Sequence, residues 1–275
     1  MSPTAENPTS GNPFGEDRST LYVYAIVPAP APQPGVAGID GSALEVVTAP
    51  SGLAAVVHDH QTGPYEGPDE DVKRWVLQHS EVVEDMWAQA SSVLPVSFNV
   101  IVRPSAATGA TATDQLQEWM TEAGEELHQV LTQLAGTSEL RVEITLDQHQ
   151  FAEDHEEVRH LRAEMESRPA GVRRLLEKRL DRLKRQLTDQ AADELYPAYR
   201  SRIAAHCQRI QEYTNRQRPK GVVSLLTAAC LVNADQVSDL GAELSLIQDE
   251  LPTAQIRFLG PWPPYSFVDL AGPQT

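Results

Sequence analysis

The segment Gly260-Pro-Trp-Pro-Pro-Tyr-Ser-Phe267 restricts the possible folds of this chain more than any other stretch. Its three prolines fix φ and donate no backbone hydrogen, so it can be neither helix nor central strand. It also carries Trp262, Tyr265 and Phe267, three of the chain's sixteen aromatic residues. A strand-like run, Gln255–Leu259, leads directly into it. Rings on stiff, extended backbone need a surface to lie on, either the protein's own core or a partner.

The rest of the chain alternates strand and helix signals. Residues 1–20 are rich in Ser, Pro, Asn and Gly and are expected to be a disordered tail. Leu21–Val27 is β-rich and stopped by Pro28. Leu44–Thr48 and Gly52–His58, joined by Pro50-Ser-Gly52, carry a hairpin signal. Asp69–Ala90 has apolar residues at helical spacing behind an acidic first turn. Val93–Val102 is expected as an edge or bulged strand because of Pro95, and residues 114–135 as a second amphipathic helix stopped by Gly136. Leu140–Leu146 alternates strictly, the mark of a half-buried strand. A helical region of about residues 150–216 follows, broken at Pro169-Ala-Gly171, with Leu176, Leu180, Leu183 and Leu187 forming a short seam. Val222–Val232 is expected as a strand, Asp235–Glu250 as a helix and Gln255–Leu259 as the last strand.

This order predicts an α+β protein of two domains. The expected first domain is a mixed sheet domain over residues 21–138. The second, over 139–275, is ferredoxin-like, with a long helical hairpin added and the Pro/aromatic segment 260–267 at its end.

Charge is distributed unevenly. Residues 1–150 hold 5 Lys and Arg against 21 Asp and Glu, whereas residues 159–220 hold 16 against 8. A basic middle segment in a chain of net charge −17 suits either a solvated helical surface or an acidic protein partner. It does not suit nucleic acid, because aromatics are not interleaved with the cations and the whole chain is acidic. No run approaches the roughly 18–20 apolar residues of a membrane span. The first residues lack the basic and apolar regions of a signal peptide, which predicts a cytoplasmic address. Cys207 and Cys230 sit in apolar patterns and are expected as buried free thiols.

Candidate chemistry is sparse. His58 and His60 point to one side of an extended chain, which fits a two-imidazole metal site or a polar strand end. His149, Glu153, Glu156 and His160 share one face if residues 149–160 are a continuous helix; a metal site or a solvated helix start fits them. His79 lies on the apolar side of its helix, as structural histidines do. There is no phosphate-binding glycine loop and no nucleophile elbow. The expectation is a non-enzymatic interaction protein without a cofactor or metal. A ferredoxin-like regulatory module binding a small molecule or metal is the alternative.

Four segments resemble the GvpF/GvpL family of gas vesicle proteins. They are the opening strand Leu21–Val27, Val93-Leu-Pro-Val-Ser-Phe98 beside the family's VLPVRFG, Ala228-Ala-Cys-Leu-Val232, and above all Gly260–Phe267, which matches the family's C-terminal signature. Ser97 and Asn99 stand where the family usually has Arg and Gly, and Cys230 replaces a commoner aromatic. The resemblance implies two α+β domains, the second ferredoxin-like, and a minor accessory protein of the gas vesicle, the hollow shell that gives cells buoyancy. The partners it implies are the hydrophobic shell protein GvpA and other accessory proteins, bound during vesicle nucleation and assembly so that shell-protein aggregation is limited. The residues expected to make contact are Arg173, Arg174, Lys178, Arg182 and Arg185 on the hairpin and Trp262, Tyr265 and Phe267 in the tail, as adjoining surfaces. The competing expectation for the tail is that its rings cover the second domain's core.

Overall fold

A computed structural model describes residues 19–61, 63–214 and 219–268. The expected disordered tail lies, up to residue 18, outside these residues. The described chain falls into two compact units, one within residues 19–86 and 96–128, the other within 87–95 and 129–268.

The first unit is built on an antiparallel hairpin. Strands β2 (Glu45–Thr48) and β3 (Leu53–His60) pair Val46 with Val56, and the Pro50-Ser-Gly52 turn joins them with Gly52 at φ +79°. Strand β1 (Thr20–Pro28) lies on the other side of β3, with Val27 opposite Ala54. Seven consecutive residues of β1 are buried, as expected of a strand covered on both faces. Helix α1 (Asp69–Gln89) buries His79, Val82, Val83 and Met86. In place of one strand over residues 93–102, the chain forms two short ones, β4 (Leu94–Pro95) and β5 (Ile101–Val102); β5 pairs with β1, Ile101 opposite Tyr22. The interruption is a turn in which Asn99 takes φ +71°, a conformation that Asn tolerates better than most residues.

The expected single helix over 114–135 is two, α2 (Ala112–Glu122) and α3 (Gly124–Leu134). Thr111 and Asp114 form a reciprocal capping box that starts α2 two residues earlier than the apolar stripe suggested.

In the second unit, strand β6 (Thr137–Asp147) turns Leu140, Val142, Ile144 and Leu146 into the core. The helical region after it comprises α4 (Gln148–Phe151), α5 (Glu156–Glu166) and α6 (Ala170–Ala204). It ends well before residue 216, because Arg209–Glu212 is strand β7, paired to β8 (Val222–Asn233) with Ile210 opposite Cys230. Only Ile210 in that short polar run packs on the core, so sequence periodicity carried no strand signal there. Helix α7 (Val237–Glu250) and strand β9 (Ala254–Trp262) complete the unit. The antiparallel sheet runs β7-β8-β6-β9, the ferredoxin-like order of a split βαβ arrangement. Helices α6 and α7 supply Ala192, Tyr199, Ile203, Leu240, Leu244 and Ile247 to the core on one face of this sheet.

Candidate functional site

The Pro/aromatic end is held by a carboxylate. Beyond Leu259, β9 continues through Gly260-Pro261-Trp262, pairing Trp262 with Glu139. Gly260 has φ +117°, and a Cβ there would meet the Glu139 carbonyl oxygen at 2.8 Å. Only glycine fits this close crossing. Pro263 and Pro264 are buried, and Tyr265–Phe267 forms a 3-10 turn. The Glu139 side chain, 1 % exposed, accepts the Ser266 N–H and the Ser266 hydroxyl, each at 2.7 Å. Arg141 Nε reaches the same carboxylate at 3.4 Å.

The rings divide between two tasks. Phe267 is buried against Leu134, Ala229 and Leu231, with the Arg209 guanidinium 5.4 Å from its ring centroid. Half-buried Trp262 flanks Arg141, whose guanidinium lies 5.7 Å from its ring and 5.8 Å from that of Tyr213. Ala228, Cys230 and Val232 belong to the core under α6 and α7, whereas Ala229 and Leu231 belong to the cluster with Phe267. Alternate residues of β8 face opposite sides, so the tail closes the sheet face away from α6. The tail thus lies on the face opposite the one covered by Ala192, Tyr199 and Ile203 of α6. Which face each element covers could not be seen in the sequence.

Helices α5 and α6 form the hairpin. Val158 and Leu161 of α5 and Leu176 of α6 are buried; Leu180, Leu183 and Leu187 are half-buried. A charge cluster sits on this seam. The Lys184 ammonium, nearly fully buried, binds Glu153 Oε2 at 2.9 Å, and Arg162 makes a second, two-pronged contact to the same carboxylate. These cations hold the Glu153 carboxyl below its ordinary pKa, Lys184 foremost. Glu153 is thus committed to an ion pair. His149 is on α4 and His160 on α5, where it contacts Glu156 at 3.5 Å, so the break at residues 152–155 disperses the expected single-face cluster.

The outer surface of α6 has a different character. Arg173, Arg174, Lys178, Arg179 and Arg182 are exposed and have no carboxylate partner among the described residues; Arg185 faces Asp189 at 3.7 Å. Val172 and Leu175 are 43 % and 69 % exposed beside them. No acidic residue occupies the helix's first turn. Cations crowd the positive end of the helix dipole, an arrangement unfavourable for the helix alone.

The first unit contains a buried polar network that sequence reading had divided into separate residues. His79 Nε2 bonds the Val96 carbonyl at 2.9 Å, which leaves Nδ1 to accept from the Tyr22 hydroxyl at 3.0 Å. Tyr22 in turn accepts the Asn99 N–H at 3.1 Å. The Tyr24 hydroxyl accepts the Ile39 N–H at 2.8 Å and lies 2.8 Å from His58 Nδ1; Tyr65 OH is 3.2 Å from His58 Nε2. His60 Nε2 bonds the Gly63 carbonyl at 2.8 Å. Burial, with a smaller effect of His60, pushes His58 down to about 4; burial pushes His79 down to about 4 against its bond to Val96. Both rings are neutral and fully engaged as structural groups. Among the described residues, no three His, Cys, Asp or Glu side chains gather as metal ligands.

These features define a two-unit α+β protein whose distinctive exposed surface is a basic, partly apolar helix. The sequence profile of the family described as gas vesicle synthesis protein GvpL/GvpF matches residues 20–269. Gas vesicle protein L1 of Halobacterium salinarum is 28% identical over 96% of this chain and 95% of its own length. Gas vesicle protein L2 of the same organism is 32% identical over 90% of each. The crystal structure of GvpF from Anabaena superposes with a TM-score of 0.68 at 17% identity, covering 92% of this chain and 99% of that one. The GvpF structure from Microcystis aeruginosa gives 0.62 at 17% identity, over 91% and 99%. The chain belongs to the GvpL/GvpF family, and so to the accessory proteins of gas vesicles. Among its described residues no helix is long and apolar enough to cross a membrane.

Proposed function

We propose that this protein binds the hydrophobic shell protein GvpA, together with other accessory proteins, during vesicle nucleation and assembly, and that it limits aggregation of the shell protein. Its place of action is the cytoplasm and the growing vesicle, and its role is structural rather than enzymatic. The observation that carries the reading is the outer surface of α6, where exposed Val172 and Leu175 lie among cations that have no carboxylate partner among the described residues. An apolar shell subunit with unpaired strand edges aggregates unless a soluble partner covers it. Exposed leucine and valine supply the apolar contact, and Arg173, Arg174, Lys178, Arg182 and Arg185 orient an acidic partner surface. In this reading Trp262, Tyr265 and Phe267 act by closing the second unit.

Complementation tests this. In gas-vesicle-forming cells lacking this gene, the wild-type chain is expected to restore vesicles, and Leu175→Glu with Lys178→Glu to leave insoluble shell protein and few vesicles. Full restoration by that variant, at normal abundance, would refute the hairpin as the working surface.

A further inference from the structure

Two exposed helix faces, one on α1 and one on α6, carry a leucine among charges of opposite sign. On α1, Leu77 is 64 % exposed, with exposed Glu81 and Glu84 one and two turns after it and exposed Glu70 two turns before it. Steps of four and seven residues keep these side chains on one side of the helix. None of the three carboxylates has an ion-pair partner among the described residues. Of the two cations nearby, Arg74 is held by Asp40 and Asp71, and Lys73 lies exposed one turn before Leu77. On α6, exposed Leu175 is followed on its own face by Lys178, Arg179 and Arg182, which have no carboxylate partner among the described residues. Glu177 and Asp181 fall on the other side of that helix.

We propose that the protein self-associates through these two faces, α1 of one copy packing parallel on α6 of another. Leu77 set against Leu175 brings Glu81 and Glu84 level with Arg179 and Arg182, because the charges follow each leucine at the same spacing. Lys73 then lies level with Gly171, which carries no charge. The antiparallel arrangement would set Lys73 level with Arg179 and Glu81 level with Gly171. Charge therefore selects the parallel arrangement, and it opposes pairing of either face with its own kind.

The two faces differ, so the contact is heterologous. A pair of copies keeps one free α1 face and one free α6 face, and further copies add to it. One helix crossing buries less than a standard interface, and exposed ion pairs contribute little each, so the association is transient and depends on concentration. The contact is independent of shell-protein capture, although a copy seated on α6 covers the surface proposed for that capture.

Equilibrium sedimentation of the full-length chain, from micromolar to near-millimolar concentration, tests this. Physiological ionic strength is used, which screens the repulsion between chains of net charge −17 beyond about 8 Å. The mean mass of wild type is expected to rise above that of the monomer with concentration. Glu81→Lys with Glu84→Lys, and separately Arg179→Glu with Arg182→Glu, should each weaken association about tenfold or more. An equimolar mixture of the two variants should recover it, because the intact α6 of the first meets the intact α1 of the second. Leu77→Ala, a mild change on an exposed helix face, should weaken association without altering charge, and circular dichroism checks that every variant is folded. The α1 charge variant keeps α6 intact and should capture shell protein undiminished, so loss of self-association and loss of capture are read separately. A wild type that stays monomeric at every concentration would leave the α1 face to another protein and overturn the proposal. Either charge variant associating as wild type does, or a mixture that stays monomeric, would overturn it as well.

Discussion

Glu139 and Ser266 are separated by 127 positions in sequence, yet the buried Glu139 carboxylate accepts both the Ser266 N–H and its hydroxyl at 2.7 Å. The first strand of the ferredoxin-like unit thereby holds the last turn of the described chain. Hydrogen bonds to a charged group contribute about 1.5–3 kcal/mol, so Ser266→Ala is expected to destabilise the second unit by about that amount. Glu139→Ala should cost more, because it strands the Ser266 N–H and removes the partner of Arg141. Urea unfolding followed by fluorescence checks both; a Ser266→Ala chain as stable as wild type would remove the lock from the account.

Gly260→Ala tests the crossing itself. A methyl group 2.8 Å from the Glu139 carbonyl oxygen, on a residue at φ +117°, forces the backbone to move. The expected cost is about 1–3 kcal/mol. Phe267→Ala, which empties a site against Leu134, Ala229 and Leu231, should cost about 3–5 kcal/mol. Thermal unfolding of both variants is the measurement, and an unchanged midpoint in either would contradict the packing described.

The two depressed histidines predict an acid-sensitive first unit. His58 and His79 titrate near 4 when folded, against about 6.5 when unfolded. The unfolded chain therefore binds more protons between these values, and stability falls as pH drops from about 6.5 towards 4. Replacing His79 by Gln, which keeps one donor and one acceptor, should flatten that slope even if it lowers stability at pH 7. Unfolding free energies at several pH values decide; an equal slope in the variant would assign the acid sensitivity elsewhere.

Lys184 and Glu153 should respond unequally to substitution. Glu153→Ala leaves a buried ammonium without its carboxylate, whereas Lys184→Met replaces the ammonium by an apolar side chain of similar length. The expected order of helical-hairpin stability is Lys184→Met above Glu153→Ala. Hydrogen exchange across α5 and α6 measures it, and the reverse order would show that the pair is not held as described.

Much of this architecture was legible in the sequence. Leu140, Val142, Ile144 and Leu146 announced their strand by alternation, and Gly260–Phe267 announced both family and fold. What periodicity could not supply were relations across the fold. Glu139 lies in a short run of buried residues and carried no sign of a partner at Ser266. Tyr22, Tyr24, His58 and His79 looked separate because they are joined only through paired strands and a helix. The tail drew attention as a contact surface because rings on prolines look exposed in sequence; Phe267 packs on the sheet face behind it. The strand Arg209–Glu212 was masked by its polar composition.

Capture of the shell protein by the purified chain is the most direct test of the central claim. Wild type, the hairpin variant Lys178→Glu with Arg182→Glu, and the tail variant Ser266→Ala would be compared at temperatures where each is folded. The account predicts that the hairpin variant loses on the order of tenfold in affinity, about 1.4 kcal/mol, while Ser266→Ala binds as wild type does. Undiminished capture by a folded hairpin variant would contradict it.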